Sequence, residues 1–329
     1  MTAADTAVDE TATVANPRLR KKLLTVARLI VTVLVLVAVV YTAAKQWRDV
    51  KGYLLDLPWQ SAVLSLVMVL IGLAAGVMGW RAAAKDLGHE VSVPDAGQIY
   101  LIGLLGKYLP GSVWAYFLQM ELGRRAGVPR SRAFLASIVL TGIGTTVALV
   151  FGIFGLPALL HVGGPAVVAV AVLVPISLVC AYPRVLTWLV QKFMRIVRRP
   201  ALEEPITWKG VGAVAGWCSI TWIAYGIHLW LLANSSSAPG FSGVLRSTGA
   251  FALGMTAGLF AFLVPSGLGV REAILVAALL PYVPAGVALG MALASRLIFV
   301  VGDLLAAGIA AIVGVRTTRR RVDLETQET

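Results

Sequence analysis

The chain has 329 residues, of which 58% are hydrophobic and only 13% charged, and its mean hydropathy is +0.85. A water-soluble domain cannot clothe its surface with so little charge, and several apolar runs reach the roughly 20 residues that span a bilayer. The net charge of +12 sits mostly in short hydrophilic stretches between those runs, a pattern that favours anionic lipid and a positive-inside arrangement over nucleic acid.

The sequence therefore specifies an all-α, polytopic membrane protein. Residues 1–17 are polar, small and mildly acidic, and read as a disordered cytoplasmic tail. Arg18, Arg20, Lys21 and Lys22 precede a first span over about 23–44. Its apolar core is too long for a cleaved signal peptide. Residues 45–59 balance Lys45, Arg48 and Lys51 against Asp49 and Asp56, which suits the outer side. A second span over about 61–80 carries Gly72 and Gly76, a small-xxx-small pair expected to pack helices. Arg81 and Lys85 follow it.

Residues 96–121 are apolar enough for a bilayer, yet they carry Lys107 and then Pro110-Gly111. Proline removes a helix donor and glycine opens unusual backbone angles. Ser112 is a good N-cap for a helix resuming at Val113. Both flanks are basic, with Arg124, Arg125, Arg130 and Arg132 on the far one. A segment with two cytoplasmic flanks enters and returns on one side, so a re-entrant hairpin is expected rather than a kinked span with Lys107 snorkelling to an interface. A span over about 134–156, a short uncharged loop and a span over about 165–182 come next. Residues 184–199 interleave Arg184, Lys192, Arg195, Arg198 and Arg199 with Trp188 and Phe193. That pattern reads as a basic amphipathic helix on the membrane surface.

A span over about 209–232 carries His228, expected to be hydrogen-bonded packing. A second interrupted segment follows over 247–281, broken at Pro265, Gly267 and Gly269, with Arg271 and Glu272 directly after. Its flanking loops carry almost no charge, so this hairpin returns to the outer side. The last span, about 286–315, holds Arg296 and Asp303 and ends at Arg316, Arg319, Arg320 and Arg321. Cys180 and Cys218 both fall in apolar runs and read as small buried residues, neither disulfide nor metal site. The resulting organisation is about six spans and two re-entrant broken hairpins. A transmembrane domain over 18–316 has halves at about 23–156 and 165–315, followed by a cytoplasmic tail over 317–329. The halves share one layout in opposite sense, the pattern of an inverted repeat.

Each broken segment resumes as a helix beside a cation. Helix N-termini carry partial positive charge and free amides, so Lys107, Ser112 and Arg271 are the expected binders of a lipid phosphate. Pro110, Gly111, Pro265, Gly267 and Gly269 are the expected breaks. Glu272, Arg296 and Asp303 are expected to form an ion network, either structural or coupled to transport. Arg296 and Asp303 lie two helical turns apart on one face and could pair with Arg271 and Glu272. No catalytic motif is found, and neither metal nor other cofactor is expected.

The stretches GKYLPGSVWAYFLQMELGRRAGVPRSRAFLASIVL and FLVPSGLGVREAIL resemble the two signature regions of the lysylphosphatidylglycerol synthetase transmembrane region, or flippase-like, family. The match is tightest at Gly106–Trp114 and Pro265–Glu272, and the layout extends over about 20–315. The resemblance implies an inner-membrane protein that handles lipid head groups; the count of spans and their basic flanks makes it multi-pass with both termini expected in the cytoplasm. Relatives fused to an aminoacyltransferase are thought to flip the modified lipid outward. This chain ends soon after its last span, so the expectation is transport of an anionic, aminoacylated or polyprenyl-phosphate-linked lipid, without synthesis. The alternatives are an accessory subunit of a lipid-modifying enzyme or glycosyltransferase, and a membrane transferase.

Overall fold

The structure, a computed structural model, describes residues 41, 44–45, 47–109, 113–156, 164–196, 202, 204–237, 240–260, 267 and 269–327. Among them every regular element is helical. The elements are α1 (Trp47–Asp56), α2 (Trp59–Asp86), α3 (Val93–Gly97), α4 (Trp114–Arg125), α5 (Arg130–Gly152), α6 (Gly164–Ala181), α7 (Pro183–Ile196), α8 (Trp208–Ser237), α9 (Gly240–Phe260), α10 (Val270–Leu279) and α11 (Ala285–Gln327). The helix of α3 continues as a π turn, Gln98–Ile102, and a 3-10 turn, Leu105–Tyr108.

Four of these helices are long and apolar enough to cross a membrane: Trp59–Asp86, Arg130–Gly155, Trp208–Ala233 and Ala285–Gly314. The α6–α7 pair supplies a fifth if the two are counted as one bent span. The expected six spans thus become four or five among the described residues; nearly all of the first expected span, 23–44, lies outside them.

Helices α2 and α8 form the central antiparallel pair. Ser65 meets His228, the Thr221 hydroxyl donates to the Gly72 carbonyl, and Thr207 donates to Asp86. These contacts advance along α2 as they retreat along α8. Gly72 lies against the Tyr225 ring and Gly76 against the Tyr100 ring. The expected small-residue pair therefore admits aromatic rings rather than a neighbouring backbone. Helix α11 runs parallel to α2, since Ser295 shares His228 with Ser65 and Gly302 packs on Val69, while Gly290 packs on Tyr53 of α1. Helix α5 crosses antiparallel to α2, through Trp80 Nε1 donating to Ser137 and through Gly79 against Leu140.

Outward faces are apolar. On α11, Leu297, Val301, Leu304, Leu305, Ile309 and Ile312 are exposed, while Ser295, Phe299, Asp303, Ala306 and Ala310 are buried. Residues three and four apart share a face. Here the greasy stripe points outward and the polar residues inward, the inverse of a soluble amphipathic helix, and an exposed apolar surface of this extent belongs in lipid. Helix α7 turns 78° away from α6. It buries Pro183, Thr187, Val190 and Met194 and exposes Arg184, Lys192 and Arg195 beside Trp188 and Ile196, as a surface-lying helix should.

Both interrupted segments fold back on themselves. In the first, a Cβ on Gly103 would run into Gln119, and one on Gly106 into the backbone of Trp114 and Ala115. The legs are therefore antiparallel and packed closely enough to require glycine at Gly106. In the second, Gly258 packs on Gly267, and Gly254 on Arg271 and Leu275. Gly267 and Gly269 have φ of +63° and +82°, angles that glycine adopts without the cost other residues incur. Pro110, Gly111, Ser112 and Pro265 lie outside the described residues.

The hairpins enter from opposite ends. The first starts at the end marked by Arg81, Lys85, Arg130 and Lys209, called here the basic end; Gln98 lies against Gly314 near the close of α11 and Lys107 pairs with Asp303 further in. The second starts where α8 finishes, at the far end. There Arg246 Nη1 donates to the Tyr282 hydroxyl at 3.1 Å, tying the start of α9 to the loop after α10.

Candidate functional site

The inner parts of both hairpins open on one cavity of about 280 Å³. Leu104, Lys107, Ala115, Tyr116 and Gln119 line it from the first hairpin. Met255, Thr256, Gly258, Leu259, Gly267 and Arg271 line it from the second. Its walls come from α2, α5 and α8, with Trp222 Nε1 donating to the Gly144 carbonyl at 2.9 Å to join α8 and α5 beside it.

Helix α11 is the spine on which both tips are hung. Lys107 Nζ lies 2.6 Å from Asp303 Oδ2, and the Tyr108 hydroxyl donates to the same oxygen at 2.5 Å. Asp303 is almost wholly buried, and its other oxygen, Oδ1, has no partner among the described residues. Arg296 Nη1 lies 2.5 Å from Glu272 Oε1. Arg271 Nη2 donates to Ser295 Oγ at 3.0 Å. At 1.5 Å per residue, Ser295 and Asp303 are separated by about 12 Å along the helix, so the two tips dock on it about two turns apart.

The expected network is therefore present with its partners redistributed. Arg296 takes Glu272, Asp303 takes Lys107, and Arg271 takes no carboxylate among the described residues. Instead the Arg271 guanidinium sits 4.9 Å and 4.7 Å from the ring centroids of Phe251 and Phe299, which stack on each other at 5.2 Å. An aromatic face attracts a cation most strongly where water is excluded.

The helix ends also differ from expectation. Helix α4 starts at Trp114, with Val113 in the N-cap position and no side-chain cap. Helix α10 starts after Gly269, whose amide donates to Glu272 Oε2 at 2.7 Å. The chain's own carboxylate thus answers this N-terminus, the place an external phosphate was expected to take.

Sequence reasoning missed how His228 serves Arg271. His228 is fully buried, with Nδ1 2.6 Å from Ser65 Oγ and Nε2 2.9 Å from Ser295 Oγ. Ser65 Oγ donates to the His228 carbonyl, and Ser295 Oγ accepts from Arg271. With the Ser65 proton committed, Nδ1–H donates to Ser65, and Ser295 donates its own proton to Nε2. The neutral Nδ1–H tautomer fits this one-way chain from Arg271 through α11 and α8 to α2. The only signal in the sequence was a polar residue in each of three apolar runs, which does not reveal that they meet. Both cysteines were read as buried. Cys218 is, and it lines the cavity, but Cys180 is exposed on the apolar flank of α6.

At the base of the first hairpin, Glu121 accepts from Arg124 at 2.8 Å and Arg130 at 2.7 Å. Hydrogen bonds from these two guanidiniums hold its carboxyl at about 2, well below the ordinary carboxylate range.

Helices with apolar outward faces, packed around two folded-back hairpins that each bring a cation to one cavity, define a multi-pass helical membrane protein. The chain belongs to the lysylphosphatidylglycerol synthase TM region family, whose model matches residues 25–307, a stretch containing both hairpins and Asp303. Membership makes this a membrane protein of lipid metabolism or transport. No curated protein matches it individually.

Proposed function

We propose that the protein translocates a lipid with an anionic head group across the membrane, the phosphate passing through the cavity between the hairpins. The observation that carries this reading is the convergence of Lys107 and Arg271, from hairpins entering at opposite ends, on one cavity. Charged side chains are costly within a bilayer and are kept there for function or for pairing. The cavity has room for a head group and none for acyl chains, which would stay in the surrounding lipid. Hairpins entering from the two sides suit alternating access, each gating the shared site from its own leaflet. By the positive-inside rule the basic end faces the cytoplasm of a bacterial-type inner membrane. No step of this process calls for a catalytic residue or a cofactor.

The test is reconstitution into liposomes containing acyl-labelled lipids, followed by quenching of the label in the outer leaflet. Accelerated loss of the protected fraction, relative to protein-free liposomes, is the expected outcome. Unchanged protection for every anionic lipid tried would sink translocation and favour the accessory-subunit reading.

A further inference from the structure

We propose that the cavity selects a single negative charge, namely a phosphodiester monoanion on an otherwise uncharged head group, held by Arg271 and Thr256, and that it disfavours aminoacylated lipids. The proposal rests on the lipid reading above and narrows it.

The first argument is charge balance. Around the hairpin tips the described residues supply three cations, Lys107, Arg271 and Arg296, and two carboxylates, Glu272 and Asp303. Two pairs cancel, Lys107 with Asp303 and Arg296 with Glu272. Among the described residues Arg271 meets the Ser295 hydroxyl and two phenyl rings, none of which carries negative charge. The local sum is one positive charge. In a medium of low dielectric constant an uncompensated charge acts strongly at short range. The ligand that restores neutrality carries one negative charge.

The second argument is unfilled hydrogen bonding. Arg271 Nε and Thr256 Oγ1 are buried and have no partner among the described residues, and both residues line the cavity. Arg271 is 5% exposed and Thr256 is 6% exposed. A buried donor without an acceptor is expensive. Here there are two, a guanidinium N–H and a hydroxyl, on the two legs of one hairpin. The non-bridging oxygens of a phosphodiester accept from both, and the bond from the guanidinium is charge-assisted. The Phe251 and Phe299 rings and the Ser295–His228–Ser65 chain fix the guanidinium before any ligand arrives.

The third argument concerns what the site lacks. An aminoacyl ester adds ammonium groups, which need acceptors. Glu272 is engaged through both oxygens, by Arg296 and by the Gly269 amide. Asp303 Oδ1 is unpartnered among the described residues, but Asp303 is not among those that line the cavity and its charge already faces Lys107. A lysyl ester would bring net positive charge to a site that is already positive. Phosphatidylglycerol and a polyprenyl phosphate bearing a neutral sugar share the favoured chemistry.

Binding can be read without transport. Delipidated full-length protein in a neutral detergent is titrated with phosphatidylglycerol, a polyprenyl-phosphate monosaccharide, phosphatidylethanolamine and lysylphosphatidylglycerol, and bound lipid is counted by native mass spectrometry. One or both of the first two should bind about tenfold or more tightly than the last two, and the tighter of them identifies the source. Thr256→Val, which keeps the shape and removes the hydroxyl, should lower monoanion affinity several-fold, and Arg271→Gln should abolish the preference. Arg271→Lys, which keeps the charge without the Nε–H, should fall between. Lysylphosphatidylglycerol binding as tightly as phosphatidylglycerol would overturn the proposal. So would wild-type monoanion affinity in Thr256→Val, a variant that serves even if Arg271→Gln fails to fold. Selective binding without transport in liposomes would remove the translocation reading alone; transport without selectivity would remove this one alone.

Discussion

Lys107 and Arg271 stand at the inner ends of the two hairpins and line the same cavity, yet they are kept there differently. Lys107 receives a full counter-charge from Asp303, which also accepts from Tyr108. Arg271 receives a hydroxyl and two aromatic faces, and its Nε has no partner among the described residues. The hairpin bases contrast as well. Glu121 clamps the first to Arg124 and Arg130, whereas a single hydrogen bond with a cation–π contact joins Arg246 to Tyr282 at the second. The lesson is one of division of labour. The first hairpin pairs its cation with a carboxylate of α11, while the second presents a cation that has no carboxylate among the described residues, as the proposed anion site requires. Of the two cations expected to bind phosphate, the proposed site assigns that role to Arg271.

The most decisive test of this contrast is all-or-none. Cysteines placed at Lys85 and Arg124 should be labelled from one side of the membrane by an impermeant reagent, and a cysteine at Tyr282 only from the other. Labelling of the two flanks of the first hairpin from opposite sides would make it a crossing and end the comparison. Next in size is Asp303→Ala. Removing one member of a buried pair strands the other, a loss of about 3–5 kcal/mol in soluble proteins. A markedly lower melting temperature in detergent is expected, with much of the loss recovered in the Lys107→Met, Asp303→Leu double variant. The equivalent test on the second hairpin is milder. Ser295→Ala deletes the hydroxyl between Arg271 and His228, and should cost about 1–3 kcal/mol. It should also weaken anion binding, because the guanidinium loses its tether; unchanged binding would mean that the phenyl rings alone orient it.

The smallest effect lies at the first base. A carboxyl whose folded pKa is depressed contributes stability above its unfolded value, near 4.3, and loses it as pH falls towards the folded value. Glu121, held at about 2, should therefore keep the Arg124 and Arg130 contacts unchanged between pH 8 and 5 and release them only in stronger acid. Glu121→Gln should shift the melting temperature slightly, as exposed pairs contribute little, and remove any acid dependence arising from this cluster. A large loss at neutral pH would show that the base, rather than α11, holds the first hairpin.

Much of this architecture was legible because lipid imposes strict rules on a chain. Apolar runs of sufficient length, basic flanks around 96–121 and uncharged flanks around 247–281 were enough to expect spans and two hairpins of opposite sense. Each backbone group in hydrocarbon must be satisfied within the protein, and few folds do so. Gly267 and Gly269 were expected at a break and lie at positive φ. The chemistry of residue types also marked Lys107, Arg271, Glu272, Arg296 and Asp303 as belonging together.

What the order of residues could not express was who faces whom. Arg271 and Glu272 are neighbours in sequence, but successive residues on a helix point about 100° apart, so one reaches Ser295 and the other Arg296. Asp303 meets Lys107 across almost two hundred positions because the first hairpin climbs beside α11 from the basic end. Three isolated polar residues, Ser65, His228 and Ser295, became one tether through the packing of α2, α8 and α11. Pairing among buried groups depends on distances of a few ångströms between helices. Only the assembled bundle sets them, and among the described residues it left Arg271 without a carboxylate.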